Sequence, residues 1–496
     1  MQETKKQPER PDTPVKDKDE YGLALCIPAM PPLLHCLADA ERDALEKRLV
    51  RKLDIRLMPM SVLIYILNYL DRNAIAAAKL AGIEDDLGLS SVQFQTCVSI
   101  LFVGYILMQV PSNLFLTRVG KPALYLPTCM VLWGILCGAS GATHNYGGLL
   151  ACRFLLGFVE AAYFPGCMAT LSAWYTSKEL SLRTAVLYCG SLLSGAFSGL
   201  ISAGITDGMD GVRGLLAWRW LFIIEGSITV VVAFSAYFVL PNFPHNSKGF
   251  TEQERQMAMW RLNADMNTTE TESDTNESKG LTHGFKSCIC DPKTWFLVTI
   301  AFGSTSSGTI SNFFPTVVEG LGYDRIRTLL LTAPPYLLSC LVAMAVSRNA
   351  DRTGERYLHL TLPLCVSIAG FIISAATTQI ASRYFAMMIM LPGVYTAFIL
   401  SMSWIATTIP RPAAKRAAAL ALANAIANCS SIYSPYLYPN KDKPRFVLAM
   451  SVNAGTALLA ILSATGFRGL LKRANRRLEE EEVEMGGGVR GFRYLV

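Results

Sequence analysis

The chain has 496 residues, of which 51% are hydrophobic and 17% charged, and its mean hydropathy is +0.32. Soluble domains carry about 25% charged residues, so this composition excludes an ordinary soluble protein. The net charge of +7 does not point to nucleic-acid binding, because Lys and Arg sit mainly in short loops and the two tails, where they orient helices in a bilayer.

Residues 1–20 read as disordered, being rich in charge and poor in hydrophobes. No cleavable signal peptide is expected, and the first spanning helix serves as its own insertion signal. Residues 21–37 are apolar but short and broken by proline, and no role follows from them. An amphipathic helix is expected at Asp39–Lys52, closing a cytoplasmic tail over 1–52. Apolar runs long enough to span a bilayer then follow at about 57–78, 93–115, 122–142, 148–172, 184–206 and 220–240. These make a first six-helix bundle over 53–240. A polar loop over 241–291 interrupts the series, with 268–278 reading as disordered. Six further runs, at 294–315, 328–347, 358–378, 384–408, 414–437 and 446–467, make a second bundle over 292–470. A charged tail covers 471–496. The expected fold is therefore an all-α membrane protein, with twelve transmembrane helices in two six-helix bundles, its partner the lipid bilayer.

Lys and Arg cluster in the tails, the central loop and alternate short loops, which predicts that both termini and the central loop are cytoplasmic. The sequons at Asn267 and Asn276 then face the cytoplasm and stay unglycosylated. Thirteen cysteines are scattered, many within apolar runs, in no metal-ligand pattern, and read as small buried hydrophobes. The sequence calls for no metal and no cofactor. Six helices, a long loop and six helices is the layout of a two-bundle secondary transporter with a midplane binding site. Gly190, Gly195, Gly199 and Gly204 recur along the fifth span, as helices do that pack closely or slide against each other.

Charges inside apolar spans cost about 2.5–3.5 kcal/mol each on insertion scales and need a partner or a purpose. The first span holds Asp71 and Arg72, adjacent and so about 100° apart around the helix. The fourth holds Arg153 and Glu160, seven residues apart and nearly on one face. Arginine offers a permanently charged fork for a carboxylate, and a partly desolvated carboxylate can exchange a proton at physiological pH. Arg153 and Arg72 are thus candidates for binding an anionic substrate, and Glu160 and Asp71 for proton coupling. Internal salt bridges would use the same residues, and Glu225 in the sixth span reads as structural. In the second bundle Asn312, Tyr336, Tyr395, Trp404, Asn424, Asn428 and Tyr433 could complete a cavity, with Asn424 and Tyr336 the candidate substrate contacts. Asn424 and Asn428 share a helix face, which an interhelical bond would equally explain.

The runs Asn68-Tyr-Leu-Asp-Arg-Asn73, Gln109-Val-Pro-Ser-Asn-Leu114 and Arg153-Phe-Leu-Leu-Gly-Phe-Val-Glu160 resemble the major facilitator superfamily. Further matching runs are Trp218-Arg-Trp-Leu-Phe-Ile-Ile-Glu-Gly226, Pro334-Pro-Tyr336 and Lys415-Arg-Ala-Ala-Ala-Leu-Ala-Leu422. The match is closest to its anion:cation symporter family and, within that, the fungal allantoate permease branch, and it covers about residues 50–470. The resemblance implies plasma-membrane symport of a small carboxylate, such as a vitamin or nitrogenous acid, with protons. It also implies substrate and coupling roles for Asp71, Arg72, Arg153 and Glu160, and a gating or stapling role for Asp351, Arg352 and Arg356. A monomer is expected. Where the sequence departs from the pattern, as in the loop Arg118-Val-Gly-Lys-Pro122, the substrate stays open. Export of a secondary metabolite and a non-transporting nutrient sensor remain alternatives. No GxxxxGK[ST] loop is present, which disfavours a nucleotide-driven pump, and no histidine lies mid-span, which disfavours a membrane-embedded enzyme.

Overall fold

Helix α1 (Asp39–Leu80) contains no glycine and extends for 42 residues, about 63 Å at 1.5 Å per residue. That is twice the roughly 30 Å hydrocarbon thickness of a bilayer. It opens where the Ala38 N–H donates to Glu41 Oε2 at 3.1 Å. The amphipathic helix expected at Asp39–Lys52 and the span expected at 57–78 are thus one element. The intervening Leu53-Asp-Ile-Arg-Leu57 has no helix breaker, and Pro59 is accommodated within the helix.

The computed structural model describes residues 16–18, 24–26, 30–269, 286–409 and 413–484. The disordered segments expected over 1–20 and 268–278 lie outside these residues, apart from 16–18 and the helix end at 268–269. So do the sequon Asn276 and residues 21–23 and 27–29 of the apolar stretch 21–37. Strands β1 (Lys16–Lys18) and β2 (Ala24–Cys26) pair antiparallel.

Five helices follow α1 in the first half. They are α2 (Ser91–Val119), α3 (Pro122–Ser140), α4 (Tyr146–Ser172), α5 (Ser177–Met209) and α6 (Ala217–Val239). Local signals set their ends. Ser90 and Gln93 form a reciprocal capping box at the start of α2. Gly120, at φ +64°, ends α2 two residues before Pro122 opens α3. A loop helix (Glu252–Thr269) precedes the second half. There α7 (Pro292–Gly308) continues through a 3₁₀ turn into Phe314–Glu319. Next come α8 (Arg325–Thr353), α9 (Tyr357–Ala376), α10 (Ile380–Thr408), α11 (Ala413–Tyr433) and α12 (Val447–Glu484).

Helices α1–α6 pack chiefly among themselves, as do α7–α12, giving two six-helix bundles. Among the described residues, ten helices are long and apolar enough to cross a membrane. The other two of the twelve, α7 and α11, carry Ser304, Thr305, Asn424, Asn428 and Ser431 on the side that faces the first bundle. The bundles meet where α5 touches α8 and α2 touches α11. Ser99 Oγ donates to the Ile432 carbonyl at 2.7 Å, and Thr96 and Tyr436 hydroxyls lie 3.1 Å apart. Arg325 lies 3.7 Å from Asp210. These contacts close the face opposite the chain termini. On the termini face the loop helix docks on the first bundle. Lys52 pairs with Glu254 at 2.8 Å, and buried Arg261 donates to the Trp174 carbonyl at 2.6 Å and to Glu179 at 3.1 Å.

Candidate functional site

The charges in the first bundle converge because two backbones touch. Gly157 lies four residues after Arg153 and three before Glu160, on the same helix face. A Cβ built at Gly157 would meet the Leu101 carbonyl oxygen at 1.9 Å, so α4 presses directly on α2. That contact holds Arg153 and Glu160 inside the bundle, both with 0% exposure.

Asp71 and Arg72 diverge as their adjacency predicts. Asp71 points into the bundle, where Oδ1 accepts from the Cys137 thiol and Oδ2 from the Thr229 hydroxyl, each at 3.2 Å. Arg72 turns toward the space between the bundles. Its Nε donates to Glu160 Oε2 at 2.6 Å, and its guanidinium lies 4.5 Å from the Tyr105 ring centroid and 5.2 Å from that of Tyr69. Arg153 Nη1 donates to the Asp71 carbonyl at 3.4 Å, and its guanidinium lies 5.3 Å from the Phe222 ring centroid. Arg153 Nε and Nη2, Glu160 Oε1 and both Glu225 carboxylate oxygens are buried without a hydrogen-bond partner among the described residues. A cluster of buried charge with unfilled hydrogen-bonding capacity is a functional-site signature, since such groups are otherwise satisfied.

A cavity of about 120 Å³ lies between the bundles. Tyr65, Tyr69, Arg72, Tyr105 and Tyr188 line its first-bundle side. Ser304, Thr305 and Asn312 from the α7 segment and Asn424 and Asn428 from α11 line the other. A larger depression of about 530 Å³, among Asp43, Lys47, Arg51, Asp54 and Glu179, shares no residue with this cavity and lies on the outer surface of the first bundle.

The structure therefore brings Arg72 and Asn424 to the cavity wall, with Glu160 directly behind Arg72. Arg153 and Asp71 lie within the bundle, off the wall. Tyr336 is also off the wall. Its ring packs on Gly195, its hydroxyl donates to the Ser311 carbonyl at 3.3 Å, and it stands 6.3 Å from the wall residue Tyr395. Asp351 and Arg356 form an ion pair of 2.7 Å at the termini end of α8, and Arg352 beside them is exposed. This group is not joined to the cavity. Asn428 Nδ2 donates to the Asn424 carbonyl at 2.8 Å, a bond within α11 rather than between helices. Sequence reasoning placed Asn312 and Tyr395 at a cavity, where the structure has them, but missed the first-bundle aromatic wall and the hydroxyls of α7. The signal for part of the wall was present: Tyr65 and Tyr69 precede Arg72 by seven and three residues, on its own helix face.

Comparison with known proteins fits this architecture. The family model described as Major Facilitator Superfamily matches residues 61–435. The MFS-type transporter cnsO of Penicillium expansum is 32% identical across 89% of this chain and 87% of its own length. The major facilitator-type transporter hxnP of Emericella nidulans is 30% identical across 88% of each chain. Among solved structures, a bacterial homolog of the human lysosomal transporter Spinster, in an inward-facing and unoccupied conformation, superposes with a TM-score of 0.62. It has 14% identity, over 87% of this chain and 97% of that one. The xylose transporter XylE from E. coli, partially occluded and inward open, superposes with a TM-score of 0.64 and 13% identity, over 82% and 96%.

Proposed function

The chain belongs to the major facilitator superfamily and is a multi-pass membrane transporter, and on that premise we propose that it carries a small organic anion together with a proton by alternating access. The observation that carries this reading is the Arg72–Glu160 ion pair, with its cation on the cavity wall and its carboxylate fully buried behind it.

A substrate carboxylate entering the cavity competes with Glu160 for one guanidinium. A proton on Glu160 removes that competitor and frees the arginine fork for the substrate. Anion and proton therefore bind together, and loss of the proton restores the internal pair and expels the anion. Asp71, held by Cys137 and Thr229, and Arg153, held on the Asp71 carbonyl, position α1 against α3, α4 and α6. Asn424 supplies a polar contact from the second bundle.

The two bundles, 53–240 and 292–470, rock about the cavity. The Lys- and Arg-rich loops support cytoplasmic termini, so the contacts between α5 and α8 close the external side. The Asp351–Arg356 pair staples the cytoplasmic ends of α8 and α9. Plasma-membrane placement and a monomeric carrier complete the reading, in the anion:cation symporter manner that the motifs suggest.

The test is uptake by cells expressing the full chain, using labelled carboxylates at external pH 5 and 7.5. Saturable accumulation of at least one anion, stronger at pH 5 and abolished by a protonophore, is expected. Accumulation indifferent to pH and protonophore overturns the coupling, and no saturable uptake across the panel overturns the anion reading.

A further inference from the structure

Resting on the reading that both chain termini are cytoplasmic, we infer that the cytoplasmic end of α12 is a binding site for an anionic phospholipid, with the acyl chains along the helix and the headgroup on Lys472 and Arg473. Three observations carry this.

The first is one continuous exposed stripe. Leu458, Leu462, Thr465, Gly469 and Lys472 follow one another at spacings of four and three residues, which places them on one face of the helix. All of them are exposed. Toward the cytoplasm the face changes from leucine to a hydroxyl and a glycine, and then to cations. That is the order of acyl chain, glycerol ester and phosphate in a lipid. A Cβ built at Gly469 meets nothing within 4 Å, so the face is open at the glycerol level. Lys472 and Arg473 are about 100° apart and flank the stripe on either side.

The second is depth. From Val447 to Phe467, α12 rises about 31 Å at 1.5 Å per residue, the thickness of the hydrocarbon core. Lys472 and Arg473 stand about 7.5 and 9 Å beyond Phe467, at the level of the headgroups. Tyr357 of α9 marks the same boundary, its hydroxyl 3.1 Å from Thr465 Oγ1, as aromatic residues with a polar tip do at the interface.

The third is charge. Arg468 lies over the Tyr357 ring, 4.4 Å from its centroid, and one turn before Lys472 on the same face. Lys472 and Arg473 are exposed and have no ion-pair partner among the described residues. No Asp or Glu occurs in the sequence of α12 before Glu479, which stands about 18 Å beyond Phe467. Arg476, further out, is already paired with Glu480 at 3.0 Å. A zwitterionic headgroup brings its own ammonium and leaves these cations uncompensated, whereas an anionic one neutralises them. Orienting the helix requires only positive charge on the cytoplasmic side, and does not call for an apolar stripe and an open glycine in line with the cations.

The test is native mass spectrometry of the purified full chain in mild detergent, titrated with dioleoylphosphatidylserine or dioleoylphosphatidylcholine. The serine lipid is expected to bind about tenfold more tightly, and equal binding overturns the inference. The double variant Lys472→Gln/Arg473→Gln should bring the ratio close to one. Arg48→Gln/Arg51→Gln, which removes two exposed cations from the cytoplasmic part of α1, should leave it unchanged. An equal loss in both double variants would reveal diffuse attraction to positive charge and overturn the site. Glycerophosphoserine, the headgroup without acyl chains, should not compete. If it competes as well as the lipid, the cations form a site for a free anion and the lipid assignment falls. Gly469→Leu fills the open level and should weaken binding of the serine lipid while the melting temperature is kept, and unchanged binding overturns the placement of the lipid on this face. Lipid in detergent reaches the chain from every side, so these outcomes do not depend on membrane orientation. Protease access to the C-terminal tail in sealed vesicles judges the cytoplasmic reading separately.

Discussion

Arg72 Nε and Glu160 Oε2 are 2.6 Å apart, and this bond ties the cavity wall at Arg72 to the buried carboxylate of α4. The pair is asymmetric: the arginine side chain keeps 10% exposure and the glutamate none. Removing the arginine therefore leaves a buried carboxylate without its hydrogen-bonded cation.

Arg72→Ala is accordingly expected to reduce the yield of folded protein as well as transport, because breaking a buried pair by deleting one partner costs about 3–5 kcal/mol. The double variant Arg72→Ala/Glu160→Gln removes the stranded charge and should recover a monodisperse peak in fluorescence-detected size exclusion. It should not recover uptake, since the cation on the wall is gone. Recovery of uptake in the double variant would remove Arg72 from substrate binding.

Glu160→Gln preserves an acceptor for Arg72 but cannot exchange a proton. Substrate exchange across preloaded vesicles should persist, while concentrative uptake driven by an acid-outside gradient is lost. The ratio of uptake at pH 5 to that at pH 7.5 should fall toward one. Retained accumulation would move the coupling role to Asp71 or Glu225, the other carboxylates of the cluster.

The architecture was legible because spans, loops and charge placement are written locally. Apolar run length and short polar breaks suffice for ten of the twelve helices, and the spacing of the loops places α7 and α11 among them. The buried charges were legible for the same reason, since Asp71, Arg72, Arg153 and Glu160 stand out against apolar neighbours. What the sequence could not settle was partner choice. Arg153 and Glu160 share a face seven residues apart, yet about 10.5 Å of helix rise separates them, and Glu160 pairs instead with Arg72 of α1. The cavity's α7 wall was illegible for a different reason: Ser304 and Thr305 are small polar residues that occur throughout membrane helices, and only the fold shows that their hydroxyls go unmet. Tyr336 was singled out, but its ring is spent on Gly195 at the joint between the bundles.

That joint yields another prediction. A Cβ at Gly199 of α5 would meet Thr332 Oγ1 at 2.1 Å and the Leu329 carbonyl at 2.6 Å, both on the α8 side. Gly199→Val therefore penalises only the state in which these helices touch, by the roughly 1–3 kcal/mol typical of overpacking, which shifts the population by about one to two orders of magnitude. Transport should fall while folded yield is kept. Ser99→Cys, placed between α2 and α11, should become more reactive toward a membrane-impermeant maleimide in the Gly199→Val background than in its absence. Unchanged labelling would mean that α5 and α8 do not separate during the cycle.

The docked loop helix gives a prediction in pH. Glu254 closes a capping box with Thr251 and receives the Lys52 ammonium at 2.8 Å. Burial alone would raise its pKa, but the bonds from Lys52 and the Thr251 amide outweigh burial and hold it below the usual glutamate range. A carboxyl depressed in the folded state contributes stability above its ordinary value, about 4.3, and loses it as pH falls through the lower folded value. Docking of the segment Glu252–Thr269 should thus be constant from pH 7 to 5 and weaken below about pH 4. Hydrogen-exchange protection of this segment, corrected for intrinsic rates and measured at pH 7, 5 and 3.5, reads it directly. Lys52→Met should lower the protection already at pH 7, because Glu254 is then buried without its cation, and adding Glu254→Gln should restore part of it. Equal protection at pH 3.5 and 7 would show that Arg261, with its bonds to the Trp174 carbonyl and Glu179, holds the helix unaided.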